Sequence, residues 1–162
     1  MNIFFLHLIP STCARYHIDK HVVKMILETV QLLCSAHHMT GSVYEPPYRL
    51  YSKNHPCAIW TRTSLENYKW LVELGKELCK EYTYRYKKIH KCQPMIEELG
   101  DNLPPIPDIG FTPPTQAMPD IYRSSNVVES YRNYCFFEKN HFLSWKIRGE
   151  PEWSKEIREL FE

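Results

Sequence analysis

The sequence lacks a charge excess of either sign: 20 lysines and arginines stand against 19 acidic residues, a formal net charge of +1. That excludes a protein held to nucleic acid by bulk positive charge, though not one that uses a local basic patch. Cysteines paired at two-residue spacing are also missing. The 6 present, at positions 13, 34, 57, 79, 92 and 135, exclude a zinc ribbon and a CxxC redox motif. Apolar runs stay far short of a bilayer span, so no membrane partner is expected. The apolar start at residues 2–9 has no basic flank and meets Pro10, which argues against a secretory leader. Together these absences point to an intracellular, cytoplasmic protein with reduced thiols. Internal repeats and low-complexity runs are absent too.

Three counts run high: 11 tyrosines, 8 histidines and 12 prolines, against only 5 glycines. Imidazoles and phenols supply donors and titrating groups, and a site is sought among them. With 43% apolar and 24% charged residues, the 162 residues fit one folded domain.

Local signals give an all-α class. Residues 3–9 are too apolar to dangle in water and form either a short strand or a thread between helices. Asp19 caps a long helix running to about residue 38 and ended near Gly41. Asn54 caps a second helix, with Pro56 in its first turn. That helix reaches about residue 88 and breaks at a Thr63–Glu66 capping box. A short helical piece at 95–99 follows. Prolines 94, 104, 105, 107, 113, 114 and 119 then stiffen an irregular connector. Asn126 and Glu129 cap another helix running to about residue 148, and the tail 151–162 forms a last turn or two. The expected organisation is a compact single domain, 1–162: a helical core 1–91, a connector 92–126, and a C-terminal helix and tail 127–162.

Residues 17–35 carry the sharpest pattern. Lys20, His21, Lys24, Glu28, Gln31 and Ser35 fall within one arc of about 100° at 3.6 residues per turn, and His17 joins them if the helix starts early. Nearly everything outside that arc is apolar, the reverse of an ordinary surface helix. The helix is therefore expected to be buried on most sides, with its polar stripe facing a cleft. There an amine lined by apolar walls becomes nucleophilic, which makes Lys24 a candidate nucleophile or a phosphate contact. Glu28 is placed to act as base, acid or charge stabiliser. His17, His21 and Lys20 are candidate phosphate or proton partners. The plainer alternative is an exposed Lys24–Glu28 ion pair, worth about 0.3–0.5 kcal/mol. His17 and His21 have the i, i+4 spacing of metal ligands, but no HExxH and no third ligand accompany them, so no metal site is expected.

Two further patches bear on binding. Asn54 and His55 stand at a helix start, where unpaired N–H groups favour an anion. Between Lys76 and Lys91, six basic and two acidic residues interleave with Tyr82, Tyr84 and Tyr86, a composition suited to phosphate contact and base stacking. Tyr82, Arg85 and Lys87 are the candidates there. A helix end whose basic residues complement the dipole accounts for the same pattern.

The segments DKHVVKMILETVQLL (19–33), NHPCAIW (54–60) and LCKEYTYRYKK (78–88) resemble the pyrimidine-dimer DNA glycosylase superfamily, which includes the phage endonuclease V proteins. Its bacterial members carry DK-x3-K-x3-E-x2-Q on a helix, then NHP-x3-W; Lys20, Lys24, Glu28 and Gln31 match the first. Residues 112–123 and 131–146 look like a tailed-phage and giant-virus branch, which implies a viral protein. The resemblance implies an all-α fold and excision of a damaged pyrimidine from DNA. An amine attacks the sugar C1′, the imine permits strand cleavage by β-elimination, a carboxylate assists, and a base leaves the stack. Asn2 is too large for efficient methionine removal, so the implied amine is that of Met1 or Lys24, with Glu28 the carboxylate. No cofactor is implied, because imine chemistry needs only an amine. Beside DNA, a free modified or cyclic nucleotide is the alternative partner, either as substrate or as a ligand sequestered without turnover.

Overall fold

Ile3, Phe4, Phe5 and Leu6 are each no more than 5% exposed in the computed structural model, which describes residues 2–162. Met1 lies outside the described residues. The four side chains form no strand. They thread an extended segment through the helices, the second of the two arrangements their hydrophobicity allows.

The described residues form seven α-helices: α1 (Pro10–Tyr16), α2 (Asp19–Met39), α3 (Pro56–Thr63), α4 (Leu65–Tyr86), α5 (Gln93–Asp101), α6 (Val127–Glu138) and α7 (Glu152–Phe161). Short 3-10 turns lie at Asp120–Tyr122 and Asn140–Phe142, and the described residues contain no strand. The fold is all-α. Helices α2 and α4 form the central pair, with α1 and α3 against them and α5 closing one end. At that end Gly75 lets the helices approach closely, since a Cβ there would stand 2.9 Å from Ile96 Cδ1 and 3.1 Å from Thr29 Cγ2. All six cysteines are buried and unbridged. Among the described residues, no helix is long and apolar enough to cross a membrane.

Helix ends follow local signals less closely than helix centres do. Asp19 is the first residue of α2 rather than its cap, and its carboxylate accepts from Arg85 Nη1, Ser144 Oγ and the Lys146 N–H. His55, not Asn54, caps α3: its Nδ1 accepts from the Cys57 N–H at 3.0 Å. The Thr63–Glu66 capping box does not form. The break falls at Ser64, whose Oγ instead accepts from the Ile109 N–H in the proline-rich connector. Asn126 caps α6 as its sequence requires, accepting from the Glu129 N–H, but α6 stops at Glu138 rather than near residue 148. A 3-10 turn follows, and residues 144–146 fold back on Asp19. Helix α1 carries no side-chain cap bond at its N-terminus, where nothing local announces it beyond Pro10 in its first turn, whereas its C-cap His17 reaches the Cys13 carbonyl.

Arg85, near the end of α4, ties these pieces together. Its guanidinium donates to Glu81 Oε2 at 2.8 Å, to Asp19 Oδ1 at 3.0 Å, and to the carbonyls of Arg15 and His17. Its side chain is 1% exposed. Arg148 donates twice more to Glu81, fastening the C-terminal segment to the same carboxylate. Burial alone would raise the Glu81 carboxyl, but the hydrogen bond from Arg148 and the Arg85 charge outweigh it and hold its pKa below the usual value. Removing one member of such a group leaves buried charge uncompensated. Arg85→Ala is therefore expected to lower unfolding stability by about 3–5 kcal/mol, read as a fall in the urea midpoint. An unchanged midpoint would contradict this role.

Candidate active site

The polar stripe of α2 runs from solvent into the interior. Lys20 and Lys24 are exposed, Gln31 is half-buried, and His21, Glu28 and Ser35 are buried. The cause is what covers each turn. Phe4 stacks on His21 at 4.4 Å and meets His17 edge-on at 6.2 Å, so the N-terminal thread buries both rings. His17 Nδ1 donates to the Cys13 carbonyl at 2.7 Å, which leaves Nε2 as a bare lone pair. Burial pulls the His17 pKa down to about 4 and that of His21 to about 3, so both are neutral at physiological pH.

Glu28 is 7% exposed, and its carboxylate lies 3.7 Å from Lys24 Nζ. Lys24 itself has a side chain 69% exposed. The Glu28 charge raises the pKa values of both His55 and Cys57 at the start of α3, against the larger effect of burial on His55 and in step with it on Cys57. Burial lowers the His55 pKa, and Nδ1 is committed to the Cys57 N–H, so the neutral ring carries its proton on Nε2. Burial pushes the Cys57 thiol up to about 12, and it stays protonated, 3.5 Å from Asn2 Oδ1. Asn2 in turn donates to the Ala117 carbonyl in the connector. Tyr131 of α6 completes the floor, donating to Thr115 O and accepting from the Ala117 N–H.

The structure thus brings together Lys24, Glu28 and His55 from the sequence-derived set. Asn2, Cys57 and Tyr131 join them. Their neighbours lie up to 129 residues away in the chain, so no local pattern marks them. Lys20 sits one turn up the same helix face as Lys24, and Asn54 is exposed beside His55. Tyr82 and Lys87 belong to the far end of α4, where Tyr82 packs against Tyr86 and His90. Arg85 is committed to its interior partners. A groove of about 1140 Å3 between the 120–122 turn, α6 and α7 includes none of these residues. Among the described residues, no group of three or more His, Cys, Asp or Glu stands together as a metal site.

A buried carboxylate beside an exposed lysine thus stands on the central helix of an all-α protein. The sequence model of the pyrimidine dimer DNA glycosylases matches residues 1–94 of the 162-residue chain, which therefore belongs to that family. Comparison with curated proteins and with solved structures gave no match.

His17 and His21 give the fold a pH dependence, to which His37, His55 and His90 add because burial lowers their pKa values as well. Unfolded, each takes up a proton near pH 6.5; folded, His17 does so only near 4 and His21 near 3. Between those limits the unfolded state binds more protons, so stability falls as pH drops from about 6.5 towards 4. The expected slope is about 1.4 kcal/mol per pH unit for each histidine. Urea midpoints across that range should show the fall, and a His17→Gln, His21→Gln double variant should make it shallower. A slope as steep in the double variant as in wild type would refute the assignment.

Proposed function

We propose that the protein excises damaged pyrimidines from DNA as a glycosylase with abasic-site lyase activity, through an amine and the Glu28 carboxylate. The amine, of Met1 or Lys24, attacks the sugar C1′ as the glycosidic C1′–N bond breaks and the base leaves with a proton. Opening of the sugar ring gives the imine, and β-elimination then breaks the C3′–O bond. The observation that carries this reading is the buried Glu28 carboxylate 3.7 Å from an exposed lysine, inside the family-matched residues. A carboxylate withdrawn from water balances positive charge developing at C1′ far better than an exposed one. His55, with its proton on Nε2, is a neutral donor to the departing base or a phosphate. Lys20 and Lys24 meet the backbone, and Gln31 and Asn54 line the approach.

A second reading keeps the site and changes the substrate to a free modified nucleotide; the net charge of +1 favours it. Salt dependence separates them, because strand binding releases counterions and a free nucleotide releases few. The decisive experiment incubates the protein with dimer-containing or abasic DNA and borohydride, then maps the adduct. A covalent product on Met1 or Lys24 is expected. Glu28→Gln should cut turnover about 10²–10⁴-fold while DNA affinity persists. No adduct, alongside a working control enzyme, would end the DNA reading.

A further inference from the structure

A cavity of about 530 Å3 opens at the first turn of α2, walled mainly by Lys20, Tyr86, Phe142, Lys146 and Ile147 over the Asp19–Arg85 pair. One wall belongs to the family-matched residues; the other, residues 141–147, lies beyond residue 94. Asp19 locks that second wall in place. Its N–H donates to the Ser144 carbonyl at 2.8 Å, and its Oδ2 accepts from Ser144 Oγ at 2.7 Å and from the Lys146 N–H at 3.2 Å. The volume suits a nucleotide-sized ligand.

The chemistry of the walls is divided. Arg85 and Asp19 neutralise each other at 3.0 Å, whereas among the described residues neither Lys20 nor Lys146 makes an ion pair. Lys20 Nζ stands 4.0 Å from the centre of the Phe142 ring, so cation and aromatic face form one unit. Tyr86 and Phe142 are each 37% exposed and Ile147 is 55% exposed, leaving flat apolar surface open beside the two ammonium groups. Cations beside an accessible aromatic platform bind a phosphate and its base together, without regard to sequence.

Position selects a strand over a free nucleotide. Lys20, Lys24 and Glu28 follow one another at i, i+4 and i+8 on one face of α2, about 12 Å from first to last. At 3.4 Å per nucleotide this is roughly three to four base steps. We infer that the cavity holds a flanking nucleotide of the DNA strand whose damaged sugar lies at Glu28, with phosphate on Lys20 and Lys146 and base on Phe142 and Ile147. This rests on the DNA reading above. It assigns to the C-terminal segment the task of fixing the strand three to four nucleotides from the lesion.

The test uses the full chain and fluorescent oligonucleotides carrying one abasic site, with either two or ten nucleotides on a given side, in both orientations. Binding is read by anisotropy across a salt series. Phe142→Ala should weaken the long-flank complex roughly 5- to 150-fold in one orientation only, with no effect when that flank has two nucleotides. Lys146→Gln, which alters an exposed side chain and no packing, should lower the salt slope by roughly 0.7–0.9 on the same oligonucleotides. Lys155→Gln on α7 serves as the unchanged control. If wild type forms the borohydride adduct but both variants bind every oligonucleotide as wild type does, the subsite is wrong and the proposed activity stands. If wild type neither binds nor is trapped, both fail. If Phe142→Ala abolishes binding of thymidine monophosphate and leaves every oligonucleotide unaffected, the cavity takes a free nucleotide and the strand assignment is overturned.

Discussion

Everything at the site depends on how Arg85 resolves the corner between α1 and α2. A helix end leaves carbonyls without partners, and a corner between two helices concentrates them where water is excluded. Arg85 supplies donors to two of them, those of Arg15 and His17, and its remaining reach goes to Asp19 and Glu81. The planar guanidinium offers five N–H groups in a fixed fork, which a lysine does not. The direction in which α2 leaves the corner is thereby set from α4. That direction decides which face of α2 meets the thread at Phe4 and which meets solvent at Lys20 and Lys24. Glu81 extends the arrangement to Arg148, so the C-terminal segment is registered against the same group.

The opposite end of the site is held by a different device. The connector at 103–119 makes no helix until the 120–122 turn, yet it is pinned by the Asn67 side chain to Thr112, by Trp60 Nε1 to the Thr112 carbonyl, and by Tyr131 to Thr115. Its prolines reduce the freedom lost when the chain is laid down, which lowers the entropy cost of holding an irregular strap. Asn2 closes the circuit through Ala117. The connector thus braces Asn2 beside Cys57. Residues beyond the family match therefore hold Asn2 in place as well as those within it.

What was legible in the sequence was whatever a few neighbouring residues decide. The extent of α2 and the cap at Asn126 each follow from apolar spacing or from a side chain reaching its own helix. The stripe was legible for the same reason, and its periodicity put Lys24 and Glu28 together. Where a distant segment competes for the same group, the local reading failed. Asp19 abandons its cap for Arg85 and Ser144, Ser64 turns to Ile109, and α6 ends so that residues 144–146 can reach Asp19. His17 and His21 share an arc with Lys24, yet Phe4 covers them, a contact no helical wheel contains.

The near-zero net charge changes meaning once burial is known. A formal count weighs every ion equally, but a field outside the protein comes from charges without close opposite partners. Arg85, Arg148, Glu81 and Asp19 cancel among themselves in and around the interior, and Lys76 and Lys80 pair with Glu73 and Glu77 on α4. Much of the basic run on α4 that drew attention in the sequence is therefore spent. What remains near the site is Lys20 and Lys146 at the start of α2, with Lys24 one turn further along beside Glu28. A protein of this kind gains little affinity from bulk electrostatics. On the proposed reading, strand affinity comes from a few placed cations and from aromatic surface, which ties it to position along the backbone rather than to total charge.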